Sequence, residues 1–148
     1  MNNRFITFLR SNAVQLRNFF LVIATIIFEV FLPCSLLERD ASGDIVGLTV
    51  YHYYDIFMIK QGITFPFITF IATLLAAVFV ILFIATKKII FLIMEEVIIL
   101  AAIIITVTQI PNGTFGYENI IVLILLAVIF INQILDYFLI IRRLKNRH

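Results

Sequence analysis

ITFPFITFIATLLAAVFVILFIATKKIIFLIMEEVIILAAIIITVTQI, residues 63–110, decides the fold. As one unbroken helix its 48 residues would extend about 70 Å, more than twice a hydrocarbon core of about 30 Å. Lys87 and Lys88 would then lie at mid-membrane, where an ammonium group is costly to bury. The stretch therefore reads as two antiparallel helices, 63–86 and 89–110, folded back at a two-lysine turn.

Two further runs flank this pair. Residues 18–37 and 119–141 are each long enough to span, and together the four runs predict an all-α integral membrane protein. The expected architecture is a single-domain (1–148) up-down bundle of four transmembrane helices. A cytoplasmic amphipathic segment (1–17) precedes it, a short β-rich and amphipathic outer loop (38–62) joins the first two helices, and a basic tail (142–148) follows.

Composition supports the same class. The chain has 148 residues, 63% hydrophobic and 14% charged, with a mean hydropathy of +1.12. Soluble domains carry roughly 45–50% apolar and about 25% charged residues. A soluble enzyme, a nucleic-acid binder and a disordered tail are excluded on that ground. The formal charge of +2 is small, and its placement matters more than its size. The single cysteine, Cys34, cannot form an internal disulfide.

Arg4, Arg10, Arg17, Lys87, Lys88, Arg142, Arg143, Lys145 and Arg147 fall on one side of the four runs, and only Arg39 and Lys60 on the other. The positive-inside rule then places both termini in the cytoplasm. The first run has no small-x-small cleavage site at its outer end and reads as a retained anchor. Ile6, Leu9, Ala13 and Leu16 at helical spacing beside the arginines predict a helix lying on the inner leaflet. The Ile/Phe/Lys/Asn-rich vocabulary points to an AT-rich genome, hence a bacterial plasma membrane.

All five glycines lie in the outer loops, so no Gly-xxx-Gly contact exists. Ala72-xxx-Ala76 and Thr73-xxx-Ala77 supply the expected close-packing seam. Pro66 lies in the first turn of its helix, where a missing N–H costs little. Pro33, read as internal to the first span, predicts a kink there.

Four of the nine carboxylates, Glu29, Glu95, Glu96 and Asp136, fall within the spans, and no Lys, Arg or His accompanies them. Residue counting places Glu29 about 16 Å from the cytoplasmic face, Glu95 and Glu96 about 9–10 Å deep and Asp136 about 7–8 Å. An ionised carboxylate at a helix centre costs about 2.5–3.5 kcal/mol on insertion scales. Each acid is expected to face the bundle interior, to be protonated, or to meet a cation from another chain. Glu95, Ala102, Thr106 and Gln109 form one stripe, Asn18, Thr25, Glu29 and Pro33 a second, and Asn132 with Asp136, adjoined by Gln133, a third. These residues line an ion path in one reading. In the other they fix helix packing, or, at Glu29, meet a partner.

In the outer loop, residues 45–54 are rich in β-branched and aromatic residues, which predicts a strand or hairpin. Residues 55–61 read as an interfacial helix. Tyr51, His52, Tyr53 and Tyr54 form either an interfacial aromatic belt or a partner-binding patch. No catalytic motif, metal-ligand set or cofactor-binding loop is present, and the two histidines, His52 and His148, fall on opposite sides. Two functions follow as expectations. One is a non-enzymatic accessory, immunity or regulatory protein that contacts another membrane protein. The other is a homo-oligomeric proton- or cation-coupled transporter or channel. Both have the lipid bilayer as a partner, and neither involves nucleic acid.

Overall fold

The computed structural model describes residues 12–39, 41–42, 44–55, 65–108 and 117–145. It is predominantly helical, with helices α1 (Ala13–Phe31), α2 (Phe65–Thr86), α3 (Ile89–Thr108) and α4 (Tyr117–Lys145). A two-stranded sheet of β1 (Cys34–Arg39) and β2 (Ile45–Tyr51) lies between α1 and α2 in the sequence. Three helices, α1, α2 and α3, are long and apolar enough to cross a membrane. The fourth is 29 residues long, with an apolar stretch over Asn119–Leu135.

The two-lysine turn stands where the sequence puts it. Lys87 adopts φ 57°, the only left-handed non-glycine residue among those described, and this reverses the chain between Thr86 and Ile89. Its amide still donates to the Phe83 carbonyl at 2.8 Å, closing the last turn of α2. The Lys87 ammonium reaches across to Asn12 Oδ1, which ties the start of α1 to the end of α2.

The first helix ends earlier than its composition suggests. Helix geometry stops at Phe31, six residues short of the expected Leu37, and Leu32 has φ −85° and ψ 127°. The cause is Pro33, because a residue before proline is driven out of the α region. Pro33 thus ends the helix instead of kinking it, and Cys34–Leu37 belong to β1. At its other end the helix takes in Ala13–Arg17, which were expected in a separate surface segment. Residues 1–11 lie outside the described set, as do 56–61 of the expected interfacial helix and 109–110 at the end of the third span.

The β-rich part of the loop is an antiparallel hairpin. Cys34 pairs with Tyr51, Leu36 with Thr49 and Glu38 with Gly47, with a register shift between Glu38 and Arg39. The second strand falls within the expected region. Its partner, β1, comes from residues read as helix end and polar turn.

The bundle packs with its polar side chains inward. α1 lies against α2 and α4, and α3 lies between the same two helices. The inward positions are Asn18, Val22, Thr25 and Glu29 on α1, and Thr69, Thr73, Ala76, Ala77 and Val80 on α2. They continue with Leu92, Glu95, Ile99, Ala102 and Thr106 on α3, and Asn119, Val122, Leu126, Ile129 and Gln133 on α4. Each set recurs every three or four residues, the period of one helix face. Outward positions carry large apolar side chains such as Phe20, Ile27, Leu75, Val78, Ile81, Val97, Ile104, Ile124 and Ile131. In lipid that surface needs no burial, and packing and interhelical hydrogen bonds hold the helices instead. Of the expected seam, Thr73, Ala76 and Ala77 are buried and Ala72 is half-buried.

Candidate functional site

The polar interior forms two levels. At the level nearer the hairpin, Glu29 is completely buried, and Thr73 Oγ1 lies 2.5 Å from its Oε2. Thr69 and Thr106 hydroxyls meet 3.2 Å apart between α2 and α3, and each also bonds the carbonyl four residues back in its own helix. Thr25, one turn before Glu29, bonds the Leu21 carbonyl at 2.9 Å. Glu29 Oε1 has no hydrogen-bond partner among the described residues.

Register gives the second level. From Thr69 opposite Thr106, eleven residues along each helix put Val80 opposite Glu95. From Glu29 opposite Thr73, seven residues along each put Val80 opposite Val22. Glu95 therefore stands about 10 Å from Glu29 along the bundle axis. Glu95 is buried, Glu96 is half-buried, and Asn18 is buried one turn from Val22. On α4, Gln133 is buried with neither amide atom bonded among the described residues, and Asn132 is half-buried. The Asp136 side chain and all of Gln109 fall outside the described set.

Glu29 is not at the helix centre. It lies two residues from the end of α1, because the helix begins and ends earlier than expected. By the same register the Thr25/Glu29 face meets Thr73 and Ala77, at the middle of α2, so the acid is near the end of α1 but not of its neighbour.

A third cluster secures the hairpin. Asn119, at the start of α4, is buried, and its Oδ1 accepts hydrogen bonds from the Tyr53 hydroxyl and from Cys34 Sγ, the latter at 3.2 Å. Cys34 and Tyr53 are both buried and join the apolar core that includes Val22, Phe65 and Val122. The four residues expected to form one outer patch are therefore divided. Tyr53 points inward because an acceptor waits there, and Tyr51 is half-buried. His52 and Tyr54 are exposed and stacked, with ring centroids 5.2 Å apart and planes within 10°. Val46 and Val50 of β2 are exposed as well.

Among the residues sequence reading passed over, Asn119 and Thr69 matter most. Thr69 was legible as a hydroxyl one turn before Thr73 on the same face. Asn119 looked like a span boundary. Among the described residues no group of three or more His, Cys, Asp and Glu is placed to hold a metal ion. A cleft of about 390 Å³ between the start of α1 and the end of α2 is lined by Leu16, Phe19, Ile81, Ile84 and Ala85, apart from the buried acids. No family model, curated protein or solved structure matches this chain.

Proposed function

We propose that this chain is a small non-enzymatic multi-pass membrane protein that acts by contact with another membrane protein, as an accessory subunit or an immunity-type or regulatory protein. In this reading four helices cross a bacterial plasma membrane up and down. Both termini and the Lys87–Lys88 turn face the cytoplasm, and the hairpin stands outside. The observation that supports it is the mounting of the hairpin. Cys34 and Tyr53 are seated on Asn119, while Val46, Val50, His52 and Tyr54 are left exposed. Fixed apolar and aromatic side chains outside lipid lower the ordering cost of binding and suit a protein partner. In this reading the contact surface is the hairpin, and the Glu29 carboxyl group is turned to Thr73 of its own chain.

Purification of the tagged protein in mild detergent tests this. The expected result is a stoichiometric second membrane protein that is lost from Val46→Asp/Val50→Asp. A clean homo-oligomer or monomer, with nothing lost from the variant, overturns it. The second reading, a proton- or cation-coupled transporter or channel, is favoured by the buried acids Glu29 and Glu95 on two helices of one bundle. Proton or cation flux in liposomes that Glu29→Gln abolishes would support it.

A further inference from the structure

Thr73 Oγ1 lies between two acceptors, Glu29 Oε2 at 2.5 Å and the Phe70 carbonyl at 2.9 Å. A threonine hydroxyl has one hydrogen to donate, and an ionised carboxylate and a carbonyl have none. With Glu29 ionised, one of these two close oxygen pairs holds no hydrogen. The count closes when the carboxyl carries it. Glu29 Oε2–H then donates to Thr73 Oγ1, and the Thr73 hydroxyl donates to Phe70 O.

The surroundings agree with that count. Of the two helices packed on α1, Phe65–Thr86 contains no ionisable residue, and α4 contains none over Asn119–Leu135, its charged residues Glu118, Asp136, Arg142, Arg143 and Lys145 falling on either side of that stretch. On α1 itself the only other charged residue is Arg17, twelve residues or about 18 Å away. On α3 the charged residues are Glu95 and Glu96, acids that would repel a second negative charge. At the hairpin end, Cys34 and Tyr53 already donate to Asn119, and His52 and Tyr54 are exposed. The fully buried Glu29 Oε1 has no hydrogen-bond partner among the described residues. As the carbonyl oxygen of a neutral acid it forgoes one hydrogen bond. As half of an ionised carboxylate it would be a buried charge with no counter-ion among those residues, which costs far more.

We propose that Glu29 is a proton-binding site of the bundle, holding one proton in a chain that runs from its carboxyl group through Thr73 to the Phe70 carbonyl. The site takes a proton, and neither a metal nor an organic ligand. It stands whether the protein works by contact or by transport, because it concerns what the interior binds at rest.

Infrared difference spectra test it, recorded at neutral pH on the full chain in phosphatidylcholine vesicles. Wild type minus Glu29→Gln is expected to show one protonated-carboxyl C=O band that is lost in the variant and kept in Glu95→Gln. Loss of ionised-carboxylate stretches in its place overturns the proposal, as does a protonated band lost only in Glu95→Gln. Thr73→Val keeps the test open should Glu29→Gln fail to fold. Removing the acceptor is expected to shift the band, and an unshifted band overturns the assignment to Glu29.

Discussion

At one end of the bundle Asn119 takes hydrogen bonds from Cys34 and Tyr53, which stand 85 and 66 positions away in the chain. At the other, the chain reverses within Lys87 and Lys88, and its closing bond runs from the Lys87 amide to Phe83, four residues back. The hairpin end is held by buried side chains brought together from three segments. The turn end is held by local backbone geometry, with one long lysine reaching Asn12. Local closure survives side-chain change, whereas a long-range clamp concentrates its stability in one acceptor. Damage should therefore be unequal at the two ends.

The largest effect is expected at Asn119. Asn119→Leu leaves two buried donors without their acceptor, at a cost of about 2–4 kcal/mol in all. Amide exchange across 34–39 and 45–51 should accelerate while α2 and α3 stay protected. Uniform exchange through the whole chain would break the comparison. Next comes Thr73→Val, which strips Glu29 of its hydrogen-bond partner and should cost about 1–2 kcal/mol. Reversible unfolding in mixed micelles measures it, and an unchanged midpoint would remove Thr73 from any stabilising role. A double-mutant cycle on Thr69→Val and Thr106→Val should give a coupling near 0.6 kcal/mol, the average for interhelical hydrogen bonds in membranes. A value near zero would mean that the two hydroxyls are satisfied by their own helices alone. Smallest of all is Lys87→Gly. Relief of a left-handed residue, about 1 kcal/mol, offsets loss of the lysine bond to Asn12. The net change should stay within about 0.5 kcal/mol, and a large loss would show that the turn end too depends on its side chain.

The same contrast separates what could be read in the sequence from what could not. The Lys87–Lys88 turn was legible because two charges inside a long apolar run admit few placements. The shared face of Asn18, Thr25 and Glu29 was legible because helical spacing is local. Hydropathy hides the end of α1, because Leu36 and Leu37 suit a membrane helix, yet Pro33 stops the helix and the two leucines go to a strand. Small size puts Thr73 in the packing seam, while its role at Glu29 rests on its hydroxyl. Tyr53 resembled its neighbours Tyr51 and Tyr54 in every sequence property. Only the position of Asn119 distinguishes it, and that position is set by the packing of α4 against α1.

The clamp also has a place in time. A ribosome delivers both strands of the hairpin, and Tyr53 after them, well before Asn119 is made. Until α4 joins the bundle, Cys34 and Tyr53 have no Asn119 to donate to, and the hairpin cannot take its final seat. Completion of the last helix is thus what finishes a surface built from the first third of the chain. A protein truncated before Asn119 would carry the hairpin residues without the lock that presents them, so correct display of that surface reports that synthesis has passed this point.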